Sequence, residues 1–355
     1  MLKRFFLIVT FVIANISIYA QETCIINGYI TNGNNIKKVQ LVRTDEYGRK
    51  EEVATAKVKK GTYKFKYTLS QDEPVMLYTI TGLGDNCIEL FIEPGTITVE
   101  TENAEQPEKS KVYGTATNDT FYEYKKVLEE NSISDAASFI KRESERIKFL
   151  INHNASPMTP FEMERSVMPN LSETYAEQMV KCISTTLHKH PYYRSFRNAV
   201  LARSLKVGNE VPDITIPLID NKSIRLADFR GKYILLDLWA SNCEKSMQER
   251  ANLKGLYDVI KDKQDKFVII SLSLDDNKEE WINTIKNNAL EETGWIHGCD
   301  TTGKTIKFFG AENTPRMILI DPEGRAISLD IKGDELIEKA ELILSGDLYY
   351  LDQKD

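Results

Sequence analysis

Between residues 24 and 99, apolar side chains alternate with polar ones or run together in short stretches at 24–31, 38–43, 53–58, 62–67, 75–80, 88–92 and 96–99. Turn signals such as Asn32-Gly33-Asn34, Glu46-Tyr47-Gly48, Lys60-Gly61 and Pro94-Gly95 separate them. Period-two patterning broken at such intervals predicts the strands of a compact antiparallel sandwich or barrel. The polar stretch 104–113 reads as a connector. The repeat then changes to three and four, the helical period. One helix carries Phe121, Tyr124 and Leu128, with Asn118 or Asp119 able to cap it, and others are predicted at 136–151, 160–167 and 172–186. Glu143, Arg146 and Lys148 read as solvated helix surface.

From residue 207 strands and helices alternate, the pattern of an α/β domain. Strands are predicted at 211–218, 224–226, 233–239, 267–274, 295–299, 317–320 and 326–329, and helices near 278–287, 302–309 and 334–344. The stretch 233–239 is almost unbroken in apolar character, as expected of a strand buried on both faces. The organisation expected is therefore a leader at 1–20, a β-rich domain at 21–115, a helical connector at 116–205 and an α/β domain at 206–350.

The leader is read from Lys3 and Arg4, the apolar stretch 5–14 and the small residue Ala20, the order of a cleavable secretory signal. The apolar run falls short of the roughly 20 residues that a membrane-spanning helix needs, so an exported, periplasmic or otherwise secreted chain without a stable membrane span is expected. A formal charge of −7, with no basic run interleaved with aromatics, argues against nucleic-acid binding. The cysteines, Cys24, Cys87, Cys182, Cys243 and Cys299, are too sparse for a disulfide-stapled fold and odd in number. None is spaced for a zinc knuckle, and His188 and His190 read as a solvated pair, so neither metal nor cofactor is expected.

Chemistry concentrates at Leu238-Trp239-Ala240-Ser241-Asn242-Cys243-Glu244-Lys245-Ser246, where the buried strand gives way to a helix carrying Met247, Leu253, Leu256 and Ile260. A cysteine there meets unsatisfied N–H groups and the positive end of the helix dipole, which favour thiolate. Glu244 and Lys245 oppose one another, so a lowered pKa is expected. Taken alone, Cys243 reads more simply as a small apolar residue ending a strand.

The surrounding sequence resembles exported thioredoxin-like proteins of the TlpA and ResA type, in the AhpC/TSA–thioredoxin superfamily. The resemblance is carried by the Cys243 segment together with Gly208-Asn209-Glu210-Val211-Pro212-Asp213, Leu226-Ala227-Asp228-Phe229-Arg230-Gly231-Lys232 and the stretch from Thr314-Pro315-Arg316 to Asp321-Pro322-Glu323-Gly324. The Gly-Tyr-Ile start and the Phe-Ile-Glu-Pro-Gly stretch resemble the DUF4369-like β-rich extension found before such domains. The resemblance implies a thioredoxin-like fold with Cys243 as attacking thiol. It also implies that Asp237 is the buried acid assisting proton transfer, that Trp239, Thr314 and Pro315 lie on the substrate side, and that the Thr314–Pro315 bond is cis. An unpaired carboxylate at Asp237 would resist ionisation; a bond to backbone or to a lysine is the alternative.

Ser246 occupies the position of the family's second cysteine, whose thiolate would attack the mixed disulfide and release product. A serine cannot make that attack, although its hydroxyl can hydrogen-bond the Cys243 thiolate. Asn242 replaces a tryptophan and Glu244-Lys245 a Gly-Pro. Cys299 is a possible resolving thiol, and pairing of Cys24 with Cys87 is another possibility within the β-rich domain. The function expected is thiol-disulfide exchange through one cysteine, resolved by an external thiol, with extended thiol- or disulfide-bearing proteins as partners. The alternatives are a redox-inactive binding or scaffold protein and, less favoured because Ala240 stands where the pattern needs threonine, a peroxiredoxin-like peroxidase.

Overall fold

The computed structural model describes residues 22–31, 35–44, 50–220, 222–287, 294–301, 303–309, 311 and 314–346. The leader read at 1–20, the turns at 32–34 and 46–48 and the end of the α/β domain beyond 346 lie outside them.

Period-two sequence builds β1 (Thr23–Ile30), β2 (Lys38–Thr44), β3 (Lys50–Lys57), β4 (Thr62–Thr68), β5 (Met76–Thr81), β6 (Ile88–Ile92), β7 (Gly95–Thr101) and β8 (Lys111–Tyr113). Among the described residues they form two sheets, ordered β4-β1-β7-β8 and β3-β2-β5-β6. The inward side chains of one, including Ile26, Phe65 and Ile97, share a core with Leu41, Ile80 and Leu90 of the other. In β1 every second residue faces this core. Gly28 lies opposite Tyr63, whose ring fills the space that a Cβ at Gly28 would need.

Two expectations fail here. The sandwich is not wholly antiparallel, because β1 runs antiparallel to β4 but parallel to β7. The chain crosses to the second sheet for β2 and β3 and again for β5 and β6, and returns as β7 in the direction of β1. The polar segment read as a connector contains β8, which pairs with β7 through three residues and buries Val112.

The helical region comprises α1 (Ala116–Glu130), α2 (Ala136–Asn152), α3 (Met158–Glu162) with a π-helical turn at Met163–Val167, α4 (Glu173–Cys182) and α5 (Pro191–Arg203). Thr115 occupies the N-cap of α1. Asn118, expected as a cap, lies inside the helix and caps the sandwich instead. Its side chain accepts from the Phe91 N–H at 2.9 Å and donates to the Phe91 carbonyl at 2.7 Å. The edge strand β6 therefore has both polar groups of Phe91 satisfied beneath the helices. Phe91 also meets Phe121 edge to face, with centroids 5.2 Å apart.

Glu143 and Arg146 are a largely buried pair at 3.1 Å, with Arg146 also donating to the Ser166 carbonyl, and not a solvated surface. His190 caps α5 and contacts the Val75 carbonyl, while His188 stacks on Tyr193. The α5 helix, for which the sequence gives no clear periodicity, packs against α4 and against the helix Lys304–Phe309 of the α/β domain. Burial on several sides hides an amphipathic pattern.

The α/β domain comprises β9 (Thr215–Pro217), β10 (Ser223–Arg225), β11 (Tyr233–Trp239), α6 (Glu244–Gln248), α7 (Arg250–Ile260), β12 (Phe267–Ser273), α8 (Lys278–Asn287), β13 (Trp295–Cys299), α9 (Lys304–Phe309), β14 (Arg316–Ile320), β15 (Ala326–Leu329) and α10 (Asp334–Ser345). Its main sheet is ordered β13-β12-β11-β14-β15. One face packs Leu235, Trp239 and Ile269 against Leu253, Leu256 and Ala340; the other packs Leu236, Leu238 and Ile270 against Ile216, Leu226 and Phe309. Two helical-region residues fasten this domain: the Asn198 amide pairs with both backbone groups of Asp213, at 2.6 and 3.1 Å, and Arg197 meets Glu210 at 2.5 Å.

Because β11, β12 and β13 are parallel, Trp239, Ser273 and Cys299 lie abreast at one edge of the sheet. The antiparallel β14 starts at that edge, with Arg316 opposite Leu238. The segments after β11 and before β14 are thereby brought together.

Candidate active site around Cys243

Cys243 lies at this meeting point as the N-cap residue of α6, with extended backbone and a partly exposed side chain. Its N–H donates to the Ala240 carbonyl at 3.2 Å, closing the turn after β11, and its carbonyl accepts from Met247 at 3.1 Å. The turn is held from behind by Asp275, where one carboxylate oxygen accepts from the Ser241 N–H at 2.9 Å and from the Ser241 hydroxyl at 3.0 Å. The other oxygen of Asp275 accepts from Ser273 at 2.7 Å.

Opposite the turn the Thr314–Pro315 peptide is cis. The Cys243 thiol donates to the Thr314 carbonyl at 3.2 Å. Ser246, one turn into the helix, is fully buried, and its hydroxyl lies 3.4 Å from the Ala240 nitrogen. Burial pushes the Cys243 thiol up, but the Ser246 hydroxyl, the Thr314 side chain and the N–H groups of Ser246 and Lys245 outweigh it, and the pKa falls from 9.0 to about 7. These groups stabilise negative charge on sulfur, so the thiolate, which is the nucleophile, forms near neutral pH.

Under the site, Asp237 is completely buried and is not the unpaired acid that the resemblance anticipates. Arg250, the first residue of α7, grips it with two nitrogens, at 2.9 and 3.0 Å, and Ser271 donates to it at 2.7 Å. The Asp237 carboxylate therefore has partners on both oxygens, a cation and a hydroxyl in place of the backbone group or lysine that the sequence suggested.

Two further expectations change. Trp239 does not line a substrate surface. Its side chain points to the same face of β11 as Asp237, lies wholly in the core, and is covered by the Arg250 guanidinium 4.6 Å from the ring centre. Cys299 is not arranged as a resolving thiol. It is buried beyond β12, two strands from β11, and burial raises its pKa to about 11, only partly offset by the Ser273 hydroxyl. All five cysteines are unpaired, Cys24 and Cys87 included. The sequence does not single out Arg250, Ser271 or Asp275: an acid inside an apolar strand calls for a partner, but nothing in the pattern says which cation or hydroxyl supplies it.

A partly exposed cysteine thus follows the central strand β11 and faces the Thr314–Pro315 segment. Comparison with known proteins bears on the family. Residues 231–326 match the thioredoxin-like family, and residues 24–121 match a domain family described as of unknown function, DUF4369. The thiol-disulfide oxidoreductase ResA of Bacillus thuringiensis subsp. konkukian is 31% identical over 137 residues, 39% of this chain and 76% of that protein. ResA of Bacillus subtilis is 24% identical over 134 residues, 37% of this chain and 72% of that protein. Among solved structures, the thioredoxin domain of a thiol-disulfide oxidoreductase from Bacteroides vulgatus is 30% identical with a TM-score of 0.36, covering 39% of this chain and 96% of that one. A thiol-disulfide oxidoreductase from Bacteroides fragilis is 30% identical with a TM-score of 0.33, covering 40% and 99%. The chain belongs to the thioredoxin-like family that includes the ResA thiol-disulfide oxidoreductases.

Proposed function

We propose that this chain is an exported thiol-disulfide exchange protein that acts through Cys243 alone. The observation that carries the reading is the partly exposed Cys243 sulfur, its pKa lowered to about 7, placed 3.2 Å from the Thr314 carbonyl, with serine at position 246. The leader-like start of the sequence supports export.

In the proposed reaction the Cys243 thiolate attacks a substrate disulfide. A Cys243–substrate disulfide forms and the second substrate sulfur leaves as thiolate. The Ser246 hydroxyl and N–H balance charge on Cys243 before attack and again when it departs. Ser246 has no sulfur with which to close an internal disulfide, so an outside thiolate attacks the substrate-derived sulfur. Cys243 is regenerated, and substrate and outside thiol leave joined by a disulfide. Thr314 and Pro315 flank the approach of an extended substrate, whose N–H the Thr314 carbonyl can accept once Cys243 has lost its proton.

A trapping experiment tests this. The parent chain is expected to give thiol-sensitive adducts with disulfide-bearing peptides, and Cys243→Ser to give none. Persistence of the same adducts in the variant would rule out Cys243 as the attacking group.

A second reading, a binding module without electron chemistry, draws on a cleft of about 540 Å³ where the three regions meet. It is lined by Phe161, Tyr192, Asp213, Arg225 and Phe308 among others, and no residue of the Cys243 site borders it. A parent chain that forms no adducts and labels like free cysteine would favour this reading.

A further inference from the structure

The helix after Cys243 is broken. It comprises α6, five residues long, and α7, which begins at Arg250 after Glu249. Arg250 reaches back across the break. Its Nε donates to the Ser246 carbonyl at 3.0 Å while its terminal nitrogens hold Asp237. Asp237 is fixed in turn by Ser271, whose oxygen accepts from the Trp295 indole at 2.9 Å. A single planar, nearly buried guanidinium thus ties the end of β11 to the residue whose hydroxyl and N–H face the sulfur. Lysine has the charge but no rigid fork to serve both acceptors.

We propose that Arg250 is a positioning residue for Cys243: by spanning Asp237 and the Ser246 carbonyl it holds the short α6 so that the Ser246 hydroxyl and N–H stay aimed at the sulfur. The inference rests on the reading of Cys243 as the reacting thiol. Stability alone does not require this geometry. A buried ion pair is weak evidence of stabilisation, and the Nε contact to Ser246 adds nothing to pairing with Asp237.

The experiment uses the full chain and peptide-resolved alkylation of Cys243 by iodoacetamide as a function of pH, with near-ultraviolet circular dichroism to establish folding. Two variants are compared with the parent. Arg250→Lys keeps the charge and loses the fork. The double variant Asp237→Asn with Arg250→Gln removes both charges together, so that no buried charge is left unpaired. The charged groups on the elements around the turn, Glu244 and Lys245 on α6, Asp275 behind Ser241 and Arg316 at the start of β14, are the same throughout.

Each folded variant is expected to move the half-labelling pH upward, with labelling at pH 7 falling about fivefold for a one-unit rise. Amide exchange at Ser246 and Met247 is expected to quicken, a local change that a role in global stability would not produce. A folded variant whose Cys243 profile coincides with the parent's overturns the proposal. A parent profile at the ordinary cysteine value overturns the exchange reading and this inference with it, whereas a parent near 7 with unchanged variants overturns this inference alone.

Discussion

The Cys243 sulfur and the Thr314 carbonyl oxygen lie 3.2 Å apart, with the thiol as donor. Loss of the thiol proton breaks that bond and frees the carbonyl, so in the proposed reaction the event that makes the nucleophile would also make an acceptor for the substrate backbone. Alkylation of Cys243 is accordingly expected to be half-maximal near pH 7. Cys299, buried and raised to about 11, is expected to label only when the chain unfolds. Site-resolved labelling across pH 5 to 10 checks both; equal rates at the two cysteines would contradict the geometry.

The same shift makes stability depend on pH. The folded pKa of Cys243 is below the ordinary 9.0, so ionisation favours the folded state. The added stability is full above pH 9 and is lost as pH falls through about 7. The difference in unfolding free energy between the parent and Cys243→Ala is expected to grow between pH 7 and 9. Denaturant titrations at several pH values measure it, and a flat difference would mean an unperturbed thiol.

Ser246→Ala removes a hydroxyl that stabilises the Cys243 thiolate and leaves the Ser246 N–H contact in place. The half-labelling pH is expected to rise partway toward the ordinary value, with a several-fold slower reaction at pH 7. Ser246→Cys is expected to form an internal disulfide with Cys243 on oxidation, visible as loss of both free thiols by mass.

At the turn, Asp275→Ala would leave the Ser241 N–H and the Ser273 hydroxyl without their acceptor. Unsatisfied buried groups cost about 1–3 kcal/mol each, and urea unfolding is expected to register a loss of that order. In the β-rich region, Asn118→Ala strips both partners from Phe91. A loss of about 2–6 kcal/mol is expected on the same basis, two groups being stripped, together with faster amide exchange at Phe91.

Much of the architecture was legible because burial on both faces leaves an unbroken apolar run, as in β11, and burial on one face leaves alternation, as in β1. The Cys243 turn and the Thr314-Pro315 pair were legible as motifs. The partner of Asp237 was not, because Arg250 lies on a different element and has the composition of an ordinary surface cation. Trp239 was misplaced although β periodicity contains the answer: residues 237 and 239 share a face, and that face is covered by α7. The α5 helix was hidden by contacts on several sides, and β8 by being three residues long with one buried side chain.

The parallel pairing of β1 with β7 bears on how the N-terminal half assembles. A strand made first must wait beside β4, with its other flank open, until Gly95–Thr101 has been delivered. Closure at such separation along the chain is entropically slow, and an unpaired strand edge invites intermolecular association meanwhile. A truncation ending before residue 95 is therefore expected to aggregate instead of yielding a smaller stable domain.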